Sequence, residues 1–424
     1  MGVSDIVMGK VKYLILGAGP AGLSAAQAIR GLDKTAEIVL VTRETVPPYS
    51  PALLPYLISN EISPNDLFLK GKDILAAFNL SLRLGKEVTE LAPEKKEVVN
   101  SDGERESYSK LLIATGAKPQ IPRIQKLKPD QIHTFRTFAD YERLRSSLGQ
   151  RQNIAIYGAG LVAVELAEKL CLEGHTVTII ARSSLLRKYY SRLGVEKLTR
   201  MFSQHNGTIA AGHTLVCVDV QGEKLKLELS SGETLVVDRL VMATGIESNL
   251  FSNGLLLVVE GGVKVSRRME TALPDIYAAG DVAAAPSFGD GQYSTCPILP
   301  EAVLQGRIAG TNMAGGEAEY PGWIPANVVR CFGNVLFTIG AVADSNPAYH
   351  TAERRDDSSY LRLVFQQEQL VGVEGLNVKS VHAGVFLNLI KERVPVRKYE
   401  DVLLAKPRET ASWLMLQHRK SQAV

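Results

Sequence analysis

Residues 12–44, KYLILGAGPAGLSAAQAIRGLDKTAEIVLVTRE, decide the fold. The run predicts an apolar strand over Lys12–Leu16 and a tight turn from Gly17 to Gly22. A helix from about Ala21 to Arg30 and a second strand over Glu37–Val41 follow. Each glycine of the turn has its own task. Gly17 permits the sharp reversal, Gly19 lets the backbone approach a pyrophosphate, and Gly22 lets the helix pack closely on the strand; Pro20 and Ala21 lie between the last two glycines. The free N–H groups of the helix start face the phosphates. Glu44 follows Gly22 by 22 residues, where a carboxylate accepts hydrogen bonds from ribose hydroxyls. Arg43 beside it leaves the ribose position open by one residue.

The pattern returns at residues 152–184, QNIAIYGAGLVAVELAEKLCLEGHTVTIIARSS. A strand over Asn153–Tyr157, a turn carrying Gly158, Gly160 and Ala163, a helix to about Leu172 and a strand over Thr176–Ile180 are predicted. Two such units imply two bound dinucleotides. The second strand here ends on Arg182 instead of an acid. By charge, arginine accommodates the 2′-phosphate of NADP and an acid prefers the free hydroxyl of NAD. Arg182, Arg187 and Lys188 read equally well as a solvated basic loop, so NAD against NADP stays open.

Composition narrows the remaining classes. The chain has 424 residues, enough for two to four domains, with 45% hydrophobic residues and a net charge of +3. Such a charge gives no case for nucleic acid or an anionic membrane. No run of 18 apolar residues spans a membrane, and no secretory leader is expected at MGVSDIVMGK, so the cytoplasm is the expected location. Cys171, Cys217, Cys296 and Cys331 lie far apart, without the spacing of a dithiol, zinc site or iron–sulfur cluster; no metal site is expected.

Two further signals join the units: Ala114-Thr115-Gly116 in YSKLLIATGAKPQIP and Gly280-Asp281 in TALPDIYAAGDVAA. With the two fingerprints, in this order, the chain resembles the two-dinucleotide-domain flavoprotein reductases. That superfamily includes ferredoxin, rubredoxin and nitrite reductases, NADH oxidases and disulfide reductases. The resemblance implies an α/β fold with two Rossmann-like domains and a C-terminal α+β interface domain. The FAD domain (1–122 and 246–316) would be split by an inserted NAD(P) domain (123–245), and residues 317–424 would pair subunits. It implies FAD as cofactor, held by Gly17, Gly19, Pro20, Ala21, Gly22, Glu44, Thr115, Gly116, Gly280 and Asp281. The helix PEAVLQGRIAGTNMAG, from Pro300, would point its N-terminus at the flavin pyrimidine. NAD(P)(H) would be the substrate, held by Gly158, Gly160, Ala163, Arg182 and Gly245, with Glu165 near the nicotinamide. Glu165 also reads as an ordinary surface acid of a helix.

The loop PPYSPALLPYLISNEI, residues 47–62, holds neither the cysteine pair of disulfide reductases nor the single cysteine of peroxidase-type relatives. Its prolines, with Tyr49 and Tyr56 as flat faces and Ser50 as a hydroxyl, suggest a rigid, mostly apolar wall beside the flavin; the stretch reads also as a plain apolar turn and helix packing on the core. Without a thiol or cluster of its own, the chain is expected to exchange electrons with an iron–sulfur or ferredoxin-type partner protein, as an oligomer or a subunit of a larger complex. The wording Tyr-Ser-Pro-x-Leu-Leu-Pro-Tyr-Leu also resembles the flavin subunits of multi-subunit, phenylglyoxylate-type 2-oxoacid dehydrogenases. Alternatives are a stand-alone NAD(P)H oxidase or quinone reductase, and a non-catalytic FAD-containing interaction subunit.

Overall fold

The computed structural model describes residues 12–68, 75–187, 189–251, 254–341, 346–378 and 383–422. The opening decapeptide, Lys188 and the start of the helix expected at SVHAGVFLNLIKE lie outside the described residues. The chain forms two compact units. One holds Met1–Leu53, Ile62–Lys118 and Ile246–Trp323; the other holds Leu54–Glu61, Pro119–Gly245 and Ile324–Val424.

In the first unit KYLIL, EIVLV and KLLI are near-continuous apolar runs, as strands covered on both faces require. They build a parallel sheet in the order Ile276–Ala278, Lys110–Ile113, Lys12–Leu16, Glu37–Val41, Ser81–Arg83. The helix Pro20–Leu32 buries Ala21, Ala25, Ala26 and Ile29. The helix Leu299–Met313 crosses it closely, since Gly306 and Gly310 rest against the carbonyls of Ala21 and Ala25. Arg30, buried near the end of the first helix, donates to the carbonyls of Phe78, Asp33, Ala36 and Asn79, so burying its charge leaves its donors satisfied.

The second unit repeats the arrangement. Its parallel sheet runs Gly207–Ala211, Thr176–Ala181, Asn153–Tyr157, Arg239–Met242, His133–Thr134. It also holds a five-stranded antiparallel sheet in the order Ala326–Cys331, Asn334–Gly340, Gln369–Leu376, Tyr360–Gln366, Tyr349–Arg355. The hairpin expected in YLRLVFQQEQLVGVEGL is the pairing of Tyr360–Gln366 with Gln369–Leu376. Fully buried Glu374 on this sheet accepts hydrogen bonds from the Ser191 N–H (3.0 Å), the Ser191 hydroxyl (2.9 Å) and the Tyr360 hydroxyl (2.6 Å). Helices Ala383–Lys391, Glu400–Ala405 and Pro407–Gln422 follow. Among the described residues, no helix is long and apolar enough to cross a membrane.

Candidate functional site

In the first unit the predicted residues gather at one edge of the sheet. Gly17 follows the strand Lys12–Leu16, Thr115 and Gly116 follow Lys110–Ile113, Gly280 and Asp281 follow Ile276–Ala278, and Glu44 follows Glu37–Val41. All stand at C-terminal ends of adjacent parallel strands. The chain first builds outward on one side of Lys12–Leu16 and then returns to its other side, and a crevice at such a reversal is where open α/β sheets take nucleotides. Gly17 has φ +112° and leads into the helix starting at Pro20. That helix has no side-chain cap at Gly19 and no acid in its first turn. A Cβ on Gly19 would meet nothing within 4 Å. An uncapped helix start beside open space is a cradle that fits a pyrophosphate.

Around this turn, the Gly280 N–H donates to Gln305 Oε1 (2.9 Å), and the Thr115 hydroxyl donates to the Asn249 carbonyl (2.9 Å). The Asn249 amide returns a bond to the Thr115 carbonyl (2.9 Å), and its backbone N–H donates to the Gly116 carbonyl (2.9 Å). Asn249 and Gln305 escaped sequence reasoning: Asn249 sits in no motif, and Gln305 lies within the helix from Pro300 without a residue type that marks a role. Glu44 and Asp281 are half-buried.

The second unit carries the same geometry. Gly158 has φ +130°, a Cβ on Gly160 would meet nothing within 4 Å, and the helix Leu161–Leu172 starts without a side-chain cap or a first-turn acid. Ala163 is fully buried on that helix. Arg182 is exposed just beyond the strand Thr176–Ala181, and Gly245 (φ +123°) follows Arg239–Met242.

Glu165 lies on the same helix in a charged cluster that the sequence did not disclose. Burial pushes its carboxyl up to about 7; Lys169 pulls it down and Glu168 adds to the rise. Lys169, one turn further along, bonds Glu61 Oε1 at 2.5 Å and stands 3.0 Å from Glu168 Oε2 as an ion pair, with its ammonium 4.7 Å from the centre of the Tyr56 ring. Glu168 is buried, and its Oε1 accepts the Phe332 N–H at 3.0 Å. Burial also raises the Tyr56 phenol, and Glu165 adds to that.

In the loop, Tyr49 is buried in the first unit with its ring edge-on to Phe68, and Ser50 is half-buried, its carbonyl accepting the Leu53 N–H. Pro51–Leu53 is a 3₁₀ turn and Leu54–Ile58 a short helix of the second unit. All four thiols are buried and unpaired. Burial pushes Cys171 up to about 12 and holds Cys296 and Cys331 well above the ordinary thiol range, so none of these three offers a thiolate at neutral pH. Among the described residues, no group of three His, Cys, Asp or Glu side chains is placed to hold a metal.

Comparison with known proteins places this geometry. The chain is 32% identical over 97% of its length, and 99% of the relative's, to the epsilon subunit of NADH-dependent phenylglyoxylate dehydrogenase from Aromatoleum evansii. It is 31% identical over 73% of its length, and 79% of the relative's, to the ferredoxin–NAD(+) reductase component of 3-phenylpropionate/cinnamic acid dioxygenase from Photorhabdus laumondii. Its fold matches the solved covalent putidaredoxin reductase–putidaredoxin complex with a TM-score of 0.86 at 22% identity, covering 96% of this chain and 98% of that one. Residues 11–317 match the model of the pyridine nucleotide-disulphide oxidoreductases, so the chain belongs to that family and is an FAD-dependent oxidoreductase of NAD(P)(H).

Proposed function

We propose that this flavoprotein passes electrons between a nicotinamide coenzyme and an iron–sulfur partner protein, as the NAD-reducing flavin subunit of a multi-subunit 2-oxoacid dehydrogenase of the phenylglyoxylate type. One observation carries the reading: the likeness to the phenylglyoxylate dehydrogenase epsilon subunit runs the length of both chains. The placement of the thiols supports it. No cysteine precedes Cys171, so the loop 47–62 has no thiol to relay electrons, and an external acceptor or donor is required. A cytoplasmic location belongs to the same reading.

FAD, when bound, supplies hydride exchange with the nicotinamide and single-electron exchange with a partner. The chain's own residues bind and orient. The helix start at Gly19–Gly22, after Gly17, holds the FAD pyrophosphate, Glu44 the adenosine ribose and Asp281 the ribityl chain. Thr115 and Gly116, fastened by Asn249, and Gly280, fastened by Gln305, shape the same pocket. Gly158, Gly160 and Ala163 hold the coenzyme pyrophosphate, Arg182 the far ribose, and Gly245 flanks the nicotinamide end. Glu165 holds a proton near the nicotinamide, and Tyr49 and Ser50 line the flavin side. Residues 1–122 with 246–316 are assigned to FAD and 123–245 to NAD(P), with 317–424 as the subunit interface.

Gel filtration of native extract, followed through the yellow flavin with iron measured in each fraction, tests the assignment. Flavin and iron are expected in one peak larger than the chain alone, with rapid anaerobic flavin reduction by NADH or NADPH. A lone flavin peak that turns over oxygen or quinones faster than a ferredoxin would replace this reading with a stand-alone oxidase or quinone reductase.

A further inference from the structure

In the second unit two carboxylates pair with one buried ammonium, and a third lies one helical turn away. Glu61 and Glu168 pair with Lys169 at 2.5 and 3.0 Å, and Glu165 lies one helical turn before Lys169 on the same helix. The Lys169 side chain is 6% exposed and that of Glu168 3%, whereas that of Glu61 is 45% exposed. Glu61 reaches the cluster from the short segment Leu54–Glu61, distant in sequence from the helix, and that segment also lays the Tyr56 ring beneath the ammonium. Its backbone and neighbours hold Glu61 in place. Its N–H donates to the Tyr56 carbonyl at 3.0 Å, and its Oε1 accepts the Ser59 hydroxyl at 2.8 Å.

We propose that Glu61 is a positioning residue for coenzyme chemistry: by pairing with Lys169, it offsets that positive charge and so sets the charge balance that the Glu165 carboxyl faces. The inference rests on the placement of Glu165 near the nicotinamide proposed above. The physical basis is simple counting in a poorly hydrated site. One ammonium balances one carboxylate, the second leaves the cluster negative, and a third ionised carboxylate is repelled by that excess. The other groups facing the cluster do not restore the balance. Tyr190 and Cys331, which also sense the Glu165 charge, are themselves held protonated by burial. Arg330 faces Tyr56 and Glu61 from the strand Ala326–Cys331 but is exposed, where water screens it. Burial works against the charge of Lys169, yet its two carboxylate partners raise its pKa overall, so it stays charged at neutral pH. Burial opposes ionisation of Glu61 too, but Lys169 and Ser59 more than offset it, and Glu61 stays an anion.

The arrangement makes a counter-intuitive prediction. Removing a negative charge from the exposed rim makes Glu165 more acidic, because the Lys169 charge is then offset by Glu168 alone. Infrared titration of the FAD-loaded protein reads this directly through the protonated-carboxyl band, assigned to Glu165 by its loss in Glu165→Gln. In the unmodified protein the band is expected to fade with a midpoint near pH 7. In Glu61→Gln the midpoint should fall by about one pH unit, and in Lys169→Met it should rise, while Lys169→Arg keeps it near the starting value. A purely structural role for Glu61 would change thermal stability and leave the midpoint in place. A midpoint unmoved in Glu61→Gln, or moved upward, overturns the inference, as does a band with the same midpoint that survives in Glu165→Gln. Neither result depends on the electron partner, whose absence from native fractions would instead overturn the proposed function.

Discussion

The carbonyl oxygen of Ala114 stands 2.1 Å from where a Cβ on Gly17 would be. The turn of the first dinucleotide unit is thus wedged against the end of the neighbouring strand, and only a hydrogen fits between them. The second unit repeats the relationship, with the Ala243 carbonyl oxygen 2.0 Å from the Cβ position of Gly158.

Gly17→Ala and Gly19→Ala should therefore fail differently. The first meets both a positive φ and a backbone clash, and is expected to cost more than the roughly 1–2 kcal/mol of a left-handed alanine. It should lose thermal stability with or without FAD. Gly19→Ala faces open space and should melt normally as apoprotein, yet bind FAD more weakly because the added methyl enters the phosphate cradle. Melting curves alongside flavin content per chain separate the two, and equal apoprotein melting temperatures for both variants would refute the account.

Glu165 makes stability depend on pH with a definite sign. Its carboxyl is raised from 4.5 to about 7 by burial first. The stability it contributes is fully present below 4.5 and is lost as pH rises through 7. Glu165→Gln, which cannot ionise, should gain melting temperature relative to the unmodified protein across that window and hold a constant advantage above it. A difference that does not vary with pH contradicts the proton assignment.

Tyr360→Phe removes the 2.6 Å donor to Glu374 Oε1 and leaves that oxygen with the Ser191 hydroxyl. Burial already raises the Glu374 pKa, and Tyr360 and Ser191 work against that rise. Loss of a donor to a buried carboxylate should cost about 1–3 kcal/mol, read from urea unfolding monitored by circular dichroism. A change within a few tenths of a kcal/mol would show that this bond holds nothing together.

Arg182 is exposed at the strand end where the coenzyme's adenosine ribose is expected. Arg182→Ala should raise KM for NADPH about tenfold, the effect of losing about 1.4 kcal/mol of phosphate contact, and leave KM for NADH nearly unchanged. Equal effects on both coenzymes would return Arg182 to the role of a solvated loop residue.

Much of this architecture was legible in advance. The strands Lys12–Leu16, Glu37–Val41 and Asn153–Tyr157 lie where the apolar runs predicted them. Helix ends differed by a residue or two; the first helix runs Pro20–Leu32, because proline suits a first helical turn. Less legible was the loop 47–62. The residues themselves do not tell that Tyr49 and Ser50 belong to one compact unit and Tyr56 and Glu61 to the other.

The amino-acid order alone determined that two dinucleotide folds are present, that their turns carry the small residues phosphate binding needs, and that no cysteine lies before Cys171. Those properties are local: backbone conformation, one-sided burial and residue type are recorded in neighbouring letters. Only the tertiary structure decided that Glu168 is buried and that Glu61 pairs with Lys169 across more than a hundred residues of chain. A glutamate in a helix reads the same whether it faces water or a buried ammonium, because its ionisation is set by packing between distant segments and not by its neighbours in sequence.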